Sequence, residues 1–489
     1  PTSTTIALGG DKLVKAVHTQ VVSDIRAGWS ASWKDRKMQS AYFGELSNTN
    51  NDEMASMLIE IAFHDLKADT DALKEVTFRR LYARAIYKGI SKYFADLAGK
   101  AAVYLPEPPT GITARGSGGG QVTLTWTAPG SGGVLGHAAT SYRVYRGTQG
   151  YAFDNGTDSG GKTTLTLKGL NSGVIHYLRV AATNAGGESL PSPTLAVKLS
   201  TGGGKVPGLL VTAAPRAAAD MNPRITYTKL GKVDRLFVER INSGDYLVPH
   251  GRALAGAKLT SFDACSGDAV ESGAMNPGGY KLVIWQGGRG TAGARGISAK
   301  ASAALDKAAK AGASIIISGA RVARTLGGAG ATSADKAFLS QTLGASHGAS
   351  TSLYTGASAT TTGALAGVQA WTLGTLTAGP YEVGIPDVIK ASGGGALAAN
   401  YQAGMGAVTQ RRASGGPCGV LMGFPLEGVL PSTRQGQILS RLVTYCLPTA
   451  PPADGAPQPD GPRLDGSVSE PDAGRKDGAG PAPDGNKPL

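Results

Sequence analysis

Apolar residues in the first hundred positions follow two different patterns of spacing. A four-residue repeat, which predicts one face of a helix, runs through Leu13, Val17, Val21 and Ile25. Met57–Phe63 is a continuous apolar run that only Glu60 interrupts, and such a run is typical of a strand buried in a sheet. A shorter strand is predicted at Tyr42–Leu46, and a long helix over about residues 71–97. The mixture predicts an α/β region over residues 1–104.

The next hundred residues change to strict alternation. Leu105–Pro109 is rich in proline and marks a domain boundary. Beyond it, apolar and polar residues alternate in short segments at Val122–Trp126, Tyr142–Val144, Leu165–Leu167 and Tyr177–Ala181. Short alternating strands separated by turns predict an all-β sandwich over residues 105–201. Gly202–Lys205 then predicts a flexible joint.

Residues 205–447 alternate between strand-like and helix-like runs. The short apolar runs are Leu209–Thr212, Leu259–Phe262, Leu282–Trp285, Ser314–Ser318 and Gly419–Phe424. The helical patterns are Ser298–Lys310, Thr332–Leu343 and Thr433–Cys446. Strands that alternate with helices predict an α/β doubly wound domain, with a mostly parallel sheet covered on both faces.

Length and composition add limits to this multidomain picture. A chain of 489 residues corresponds to about three domains. Residues 448–489 repeat Asp-Gly among prolines and have little to bury, which predicts a disordered tail. Apolar runs of about 18 residues do not occur, which excludes a membrane-spanning helix. The chain begins at Pro1 without a signal-peptide core, so we expect a processed start or a fragment.

The basic charge lies mainly in one segment. Of the formal net charge of +13, residues 205–447 contribute +11, from 23 Lys and Arg against 12 Asp and Glu. These basic residues are scattered and aromatic residues are only 6%, which argues against nucleic-acid binding. Two interpretations stay open: a basic solvated surface, or attraction to an anionic polymer such as a cell wall or an acidic polysaccharide.

Three cysteines and one glycine-rich run are further chemical candidates. The cysteines cannot build a disulfide framework, although one pair could bridge. Cys265 with His250 is a conceivable reactive pair, and inert thiols are the alternative. Gly287–Gly290 follows a strand and could cradle an anion, but it lacks both GxGxxG and the Walker lysine, which favours an ordinary loop.

The stretch EMASMLIEIAFHD, residues 53–65, resembles a strand of zinc-dependent N-acetylmuramoyl-L-alanine amidases. Phe78–Ile90 resembles the closing helix of that family, so residues 1–104 look like the C-terminal part of an amidase domain. The resemblance implies cleavage of the amide between N-acetylmuramic acid and L-alanine, with Glu60 as the catalytic general acid or base. A carboxylate within an apolar strand is desolvated, which suits it to that role. The alternative for Glu60 is a strand-end acid that faces solvent or pairs with arginine.

The same resemblance implies a zinc cofactor held by two histidines and a glutamate that lie upstream of this region in the family. We expect those ligands not to be present in this chain, which alone should be inactive. His18 is interpreted as a helix-surface residue and His64 as a loop residue, since neither has a metal-binding spacing.

Two further resemblances concern the rest of the chain. Pro108-Pro109, Leu124-Thr125-Trp126 and Tyr177–Ala182 resemble a fibronectin type III domain, which implies a spacer or a binding platform. Tyr246–Leu254 and Gly423–Glu427 resemble a glutamine-amidotransferase-like, flavodoxin-like domain. The turn where true amidotransferases hold a nucleophilic cysteine would be Ser318-Gly319-Ala320, which has none.

These observations lead to a peptidoglycan hydrolase of the amidase type as the expected function. A non-catalytic exported protein that binds cell wall or polysaccharide is the alternative. The expected partner is peptidoglycan or another anionic cell-surface polymer, with no nucleic acid and no membrane span. The company of domains implies an extracellular or periplasmic location.

Overall fold

The computed structural model describes most of the chain before residue 448. The described residues are 9–39, 41, 43–47, 53–202, 205–214, 224–234, 245–290, 295–348, 354–375, 378–413 and 416–447. The predicted disordered tail and the centre of the predicted joint at Gly202–Lys205 therefore lie outside the described residues. None of the described helices is long and apolar enough to cross a membrane.

Three helices build the N-terminal region, namely α1 Gly10–Gly28, α2 Lys67–Lys74 and α3 Val76–Leu97. The predicted helices are confirmed, with a break at Glu75 in the second one. Helices α1 and α3 pack closely, because a Cβ on Gly89 would lie 2.6 Å from the Cα of Val17. The strand predicted at Tyr42–Leu46 is wrong, since Gly44–Leu46 forms a 3₁₀ turn and residue 42 is not described.

Met57–Phe63 is not a strand of any sheet, which corrects the prediction for this segment. Its side chains still alternate, because Met57, Ile59 and Ile61 pack on the helices while Leu58 and Glu60 are exposed. The alternation therefore reflects burial against α1 and α3 rather than strand pairing. We call Met57–Phe63 the apolar segment.

Eight strands form a β-sandwich after Pro109. They are β1 Thr110–Gly118, β2 Gln121–Thr127, β3 Ser141–Gly147, β4 Thr157–Asp158, β5 Thr164–Leu167, β6 Ile175–Asn184, β7 Gly187–Glu188 and β8 Leu195–Lys198. One sheet has the order β1-β2-β5, and the other has the order β4-β3-β6-β8 with β7 beside β6. Inward residues such as Leu124, Trp126 and Val144 fill the space between the sheets, as the alternation predicted.

A mixed sheet with helices on both faces forms the next part of the chain. Its parallel strands are β9 Gly208–Thr212, β12 Phe262–Ser266, β13 Leu282–Gly288, β14 Ser314–Gly319 and β21 Cys418–Met422. In space they lie in the order β12-β9-β13-β14-β21. Antiparallel strands β16 Gly356–Ala359, β17 Trp371–Leu373, β19 Ala396–Tyr401, β20 Gly406–Arg412 and β22 Val429–Leu430 extend the sheet beyond β21.

The helices of this part are α4 Leu247–Leu254, α5 Gly267–Glu271, α6 Ala299–Lys310, α7 Val322–Gly327, α8 Ser333–Ala337 and α9 Ser432–Cys446, with a π-helical turn at Phe338–Thr342. Helices α4 and α9 pack on one face of the sheet, against residues such as Ile284 and Ile316. Helices α5, α6 and α7 pack on the opposite face, against residues such as Val283 and Ile315. Ser298 caps α6 and Thr332 caps α8, and these are the first residues of two of the predicted helical patterns. Two small antiparallel pairs complete the described strands. One joins β10 Arg224–Tyr227 to β11 Gly231–Asp234, and the other joins β15 Ala345–His347 to β18 Ile389–Ala391.

The sandwich and the mixed sheet are joined through paired strands. Strand β1 runs antiparallel to the outer strand β12, with Thr113 opposite Cys265. Asp263 and Asp268 accept backbone hydrogen bonds from Gly116 and Gly111, each at 2.8 Å. Because β1 pairs with the edge of the parallel sheet, the sandwich covers an edge that would otherwise attract other strands.

Candidate functional site

Glu60 stands on the outward side of the apolar segment. Its side chain is exposed, so the expected desolvation of this carboxylate is not seen. Leu58, which alternates to the same side, is 52% exposed, and Phe63 at the end of the segment is 46% exposed. Large apolar side chains grouped on a surface are typical of a contact site, so Glu60 lies among groups that are available to a substrate or another chain.

The backbone of the apolar segment is anchored at its C-terminal end. The amide of Phe63 donates to Asp69 Oδ2 at 2.8 Å, and the Arg36 guanidinium lies 5.4 Å from the centre of the Phe63 ring. Together with the packing of Met57, Ile59 and Ile61, these contacts hold the Glu60 side outward. The sequence placed a carboxylate on a strand, whereas the structure places it on a segment held by helices.

The two histidines of this region do not join Glu60. His18, on α1, is half-buried, and its Nε2 lies 3.4 Å from Oδ1 of Asp35. His64 is exposed in the turn that follows the segment. Within the described ranges, no group of three His, Cys, Asp or Glu side chains could hold a metal ion.

A second group of polar residues lies at the carboxyl ends of the parallel strands. Gln286 Nε2 and the Tyr381 hydroxyl each donate to Glu427 Oε1 at 2.6 Å. Thr212 at the end of β9 donates to Gln286 Oε1 at 3.0 Å. Burial raises the pKa of Glu427, and its Oε2 has no hydrogen-bond partner in the described part of the chain. Burial therefore disfavours the charged form of this carboxyl relative to an exposed glutamate.

This polar cluster lies beside β9 and β13. At this point the strand order switches, because β12 lies on one side of β9 and β13 on the other. Ligands of open parallel sheets bind outside the strand ends at such a point. Glu427 is only 1% exposed and Gln286 is fully buried, so the cluster is closed to solvent in this conformation. Gly287–Gly290 spans the end of β13 and the residues after it, and Gly288 and Gly290 adopt positive φ values of 67° and 68°.

His250 and Cys265 are also buried in this part of the chain. His250 contacts Ser318 Oγ and the Tyr246 carbonyl, each at 3.3 Å, and burial lowers the pKa of His250 to about 4. Cys265 is buried and outside any disulfide, and burial raises the pKa of its thiol. The structure therefore does not bring Cys265 and His250 together, and an inert thiol fits Cys265. Cys418 and Cys446 form the disulfide that the cysteine count allowed.

Sequence reasoning missed Asp387. Its Oδ2 accepts from the backbone amide of Ala323 at 2.7 Å, at the start of α7, and burial raises the pKa of Asp387 to about 7. Glu427 had a signal, because it ends the run Gly423–Glu427 that carries the flavodoxin-like resemblance. Asp387 had none, because it is distant in sequence from the helix that it caps.

Comparison with known proteins identifies one domain. Residues 107–198 match the family model of the fibronectin type III domain, and they form such a domain. Similar solved structures include titin domains (30% identity, 18% of this chain and 30% of that chain, TM-score 0.17) and an Fn3-like protein from Clostridium thermocellum (31% identity, 18% and 88%, TM-score 0.16). The FN5 domain of Drosophila Lar is 18% identical over 20% of this chain and all of that chain, with a TM-score of 0.17. The chain thus spans less than a third of that titin structure. No curated protein sequence matches the chain.

Proposed function

We propose that the protein is an exported cell-wall hydrolase that cleaves the amide between N-acetylmuramic acid and L-alanine. The observation that supports it most is the placement of Glu60. The motif that resembles the amidase strand packs on two helices, and its carboxylate points outward among exposed apolar side chains. An outward carboxylate can reach a polymer as large as peptidoglycan.

The chemistry proposed for Glu60 is general acid–base catalysis. The carboxylate accepts a proton from the attacking water, and the resulting carboxyl returns a proton to the departing amine of L-alanine. One such group typically contributes about 10²–10⁴ to the rate. The described residues do not fit the zinc site that the resemblance implies, because they offer no set of three ligands. No step is therefore assigned to zinc.

The disulfide and the fibronectin type III domain support export. Disulfides such as Cys418–Cys446 persist in oxidising compartments outside the cytosol. Fibronectin type III domains are common in extracellular proteins. We therefore place the protein outside the cytoplasm.

We also infer that residues 205–447 are a doubly wound, flavodoxin-like domain. The parallel strands, numbered along the chain, lie in the order 2-1-3-4-5, which is the flavodoxin-like order. Ser318, near the end of β14, stands where an amidotransferase would hold its nucleophilic cysteine, and Ser318 is buried. The domain is therefore assigned to binding rather than to glutamine hydrolysis.

The test is product analysis with the complete gene product and purified peptidoglycan. Amidase activity should release new amino termini on L-alanine without new reducing sugar ends. Reducing ends without those termini would contradict the proposal, because they would show cleavage of the glycan. Adsorption without any release would favour the second candidate, a non-catalytic exported binding protein, which the +11 charge of residues 205–447 supports.

A further inference from the structure

A groove of about 580 Å³ lies beside helix α9, away from both groups described above. Its walls come from the outer side of α9, from residues around the end of α4, and from the loop at 367–369. Three arginines line it, namely Arg252, Arg434 and Arg441. Its described lining includes no acidic residue. We call it the arginine groove.

Among the described residues, no carboxylate forms a salt bridge with any of these arginines. Arg434 donates to two neutral amide oxygens, to Gln437 Oε1 at 2.6 Å and to Gln369 Oε1. Arg252 donates to the Gln149 carbonyl at 2.7 Å and lies 4.8 Å from the centre of the Tyr151 ring. Neutral partners hold both guanidinium groups in place and leave their positive charge for a ligand.

The spacing of the arginines fits an extended ligand. Arg434 and Arg441 are two turns apart on α9, which corresponds to about 10 Å along the helix axis. Anchors spaced this far along a helix favour a polymer with repeated acidic groups over a single small anion. Arginine suits this task because its planar fork pairs with a carboxylate through two hydrogen bonds.

The remaining lining groups indicate sugar rather than nucleic acid. Gln369, Gln437 and Ser440 offer amides and a hydroxyl, which hydrogen-bond to sugar hydroxyls. No aromatic side chain is among the described lining residues, so bases would find no ring to stack on. We propose that the arginine groove binds an acidic polysaccharide through its carboxylates. This inference concerns binding alone and does not depend on Glu60.

The test uses the full chain and polygalacturonate, a polymer of uronic acid. The double variant R434Q/R441Q removes two groove cations, and R441Q removes an exposed one that forms no hydrogen bond or ion pair with the described residues. The matched control K300Q/K336Q removes the same charge from exposed lysines on α6 and α8, across the sheet from α9. Dissociation constants are measured for each protein at low and moderate salt, with thermal midpoints to check folding.

The double variant should bind polygalacturonate about tenfold more weakly, which two exposed ion pairs near 0.7 kcal/mol each would give. R441Q should lose about threefold and the control less than about twofold. Equal losses in the double variant and the control would overturn the proposal, because net charge alone would then explain binding. Equal binding to neutral pullulan would also overturn it. Tighter binding to polyphosphate or to duplex DNA than to polygalacturonate would do the same, since the ligand class would then be wrong.

The measurement separates this inference from the proposed hydrolase. The E60Q variant should bind polygalacturonate as the parent protein does, because Glu60 lies outside the arginine groove. Weaker binding by E60Q would place the polymer on the wrong part of the molecule and would overturn the groove proposal.

Discussion

Met57–Phe63 and strand β9 are two short apolar runs that differ in how completely the fold buries them. β9 lies between β12 and β13, and all five of its residues are buried. The apolar segment has helices on one side, while Leu58 and Glu60 on the other side are exposed. An apolar run thus shows that burial is favourable, but its neighbours decide whether one side or both are covered.

The difference has consequences for where function resides. Complete burial makes β9 part of the scaffold. The polar groups near its end, Gln286 and Glu427, are buried from solvent as well. One-sided burial leaves the apolar segment with a fixed backbone and an available carboxylate. This combination of rigid support and outward chemistry is what a functional residue needs.

The largest expected effect tests whether the helix pair supports the apolar segment. Lys88 Nζ lies 2.9 Å from Asp24 Oδ2, and both side chains are buried between α1 and α3. Lys88→Met should lower the free energy of unfolding of this region by about 3–5 kcal/mol, because an unpaired Asp24 carboxylate would stay buried. Lys92→Met removes an exposed pair with Asp96 on the same helix and should cost about 0.5 kcal/mol or less. Equal costs in hydrogen-exchange protection of α3 would show that the buried pair has no special role.

The second effect compares the two apolar runs directly. Leu210 on β9 is fully buried, whereas Leu58 is 52% exposed. Leu210→Ala should cost about 2–5 kcal/mol through lost burial and a new cavity. Leu58→Ala should stay within about 0.5 kcal/mol. Denaturant titration measures both, and a large cost for Leu58→Ala would mean that its side of the segment is covered in solution.

The third effect compares the buried carboxyl of Asp387 with the carboxylate of Asp306, which forms an ion pair with Lys310 on the surface. Burial raises the pKa of Asp387 to about 7, so the folded protein holds a proton that the unfolded chain releases near its ordinary pKa. Stability should therefore fall as pH rises from about 4 to about 7, by up to about 1.4 kcal/mol per pH unit. Asp387→Asn should flatten this slope, and Asp306→Asn, in an exposed pair with Lys310, should not. An unchanged slope in Asp387→Asn would show that another group controls the pH dependence.

Local patterns predicted most of the scaffold, but not its connections. The repeat through Leu13 and Ile25 predicted α1, and the capping residues Ser298 and Thr332 predicted the starts of α6 and α8. The pairing of β1 with β12 could not be predicted, because its partners are about 150 residues apart and carry no charge or turn signal. For the same reason, no pattern along the chain indicated the contact of Asp387 with α7.

The candidate sites divide in the same way. Glu60 could be found because a motif marks it, although its exposure could not. The arginine groove could not be found, because Arg252, Arg434 and the loop at 367–369 come together only in the fold. Charge counting left attraction to polyanions open beside a basic solvated surface, and the proposed arginine groove gives the first alternative a specific place to test.

The central claim is that Glu60 is the general acid–base residue of a cell-wall amidase. The most direct test measures kcat/KM for release of stem peptide from purified peptidoglycan by the complete gene product. Glu60→Gln should reduce this value at least about a hundredfold, the contribution of one general acid–base group. Glu53→Gln, an exposed acid shortly before it in the chain, should stay within about twofold of the parent. Activity of Glu60→Gln within about threefold of the parent would contradict the account, since it lies far below that contribution.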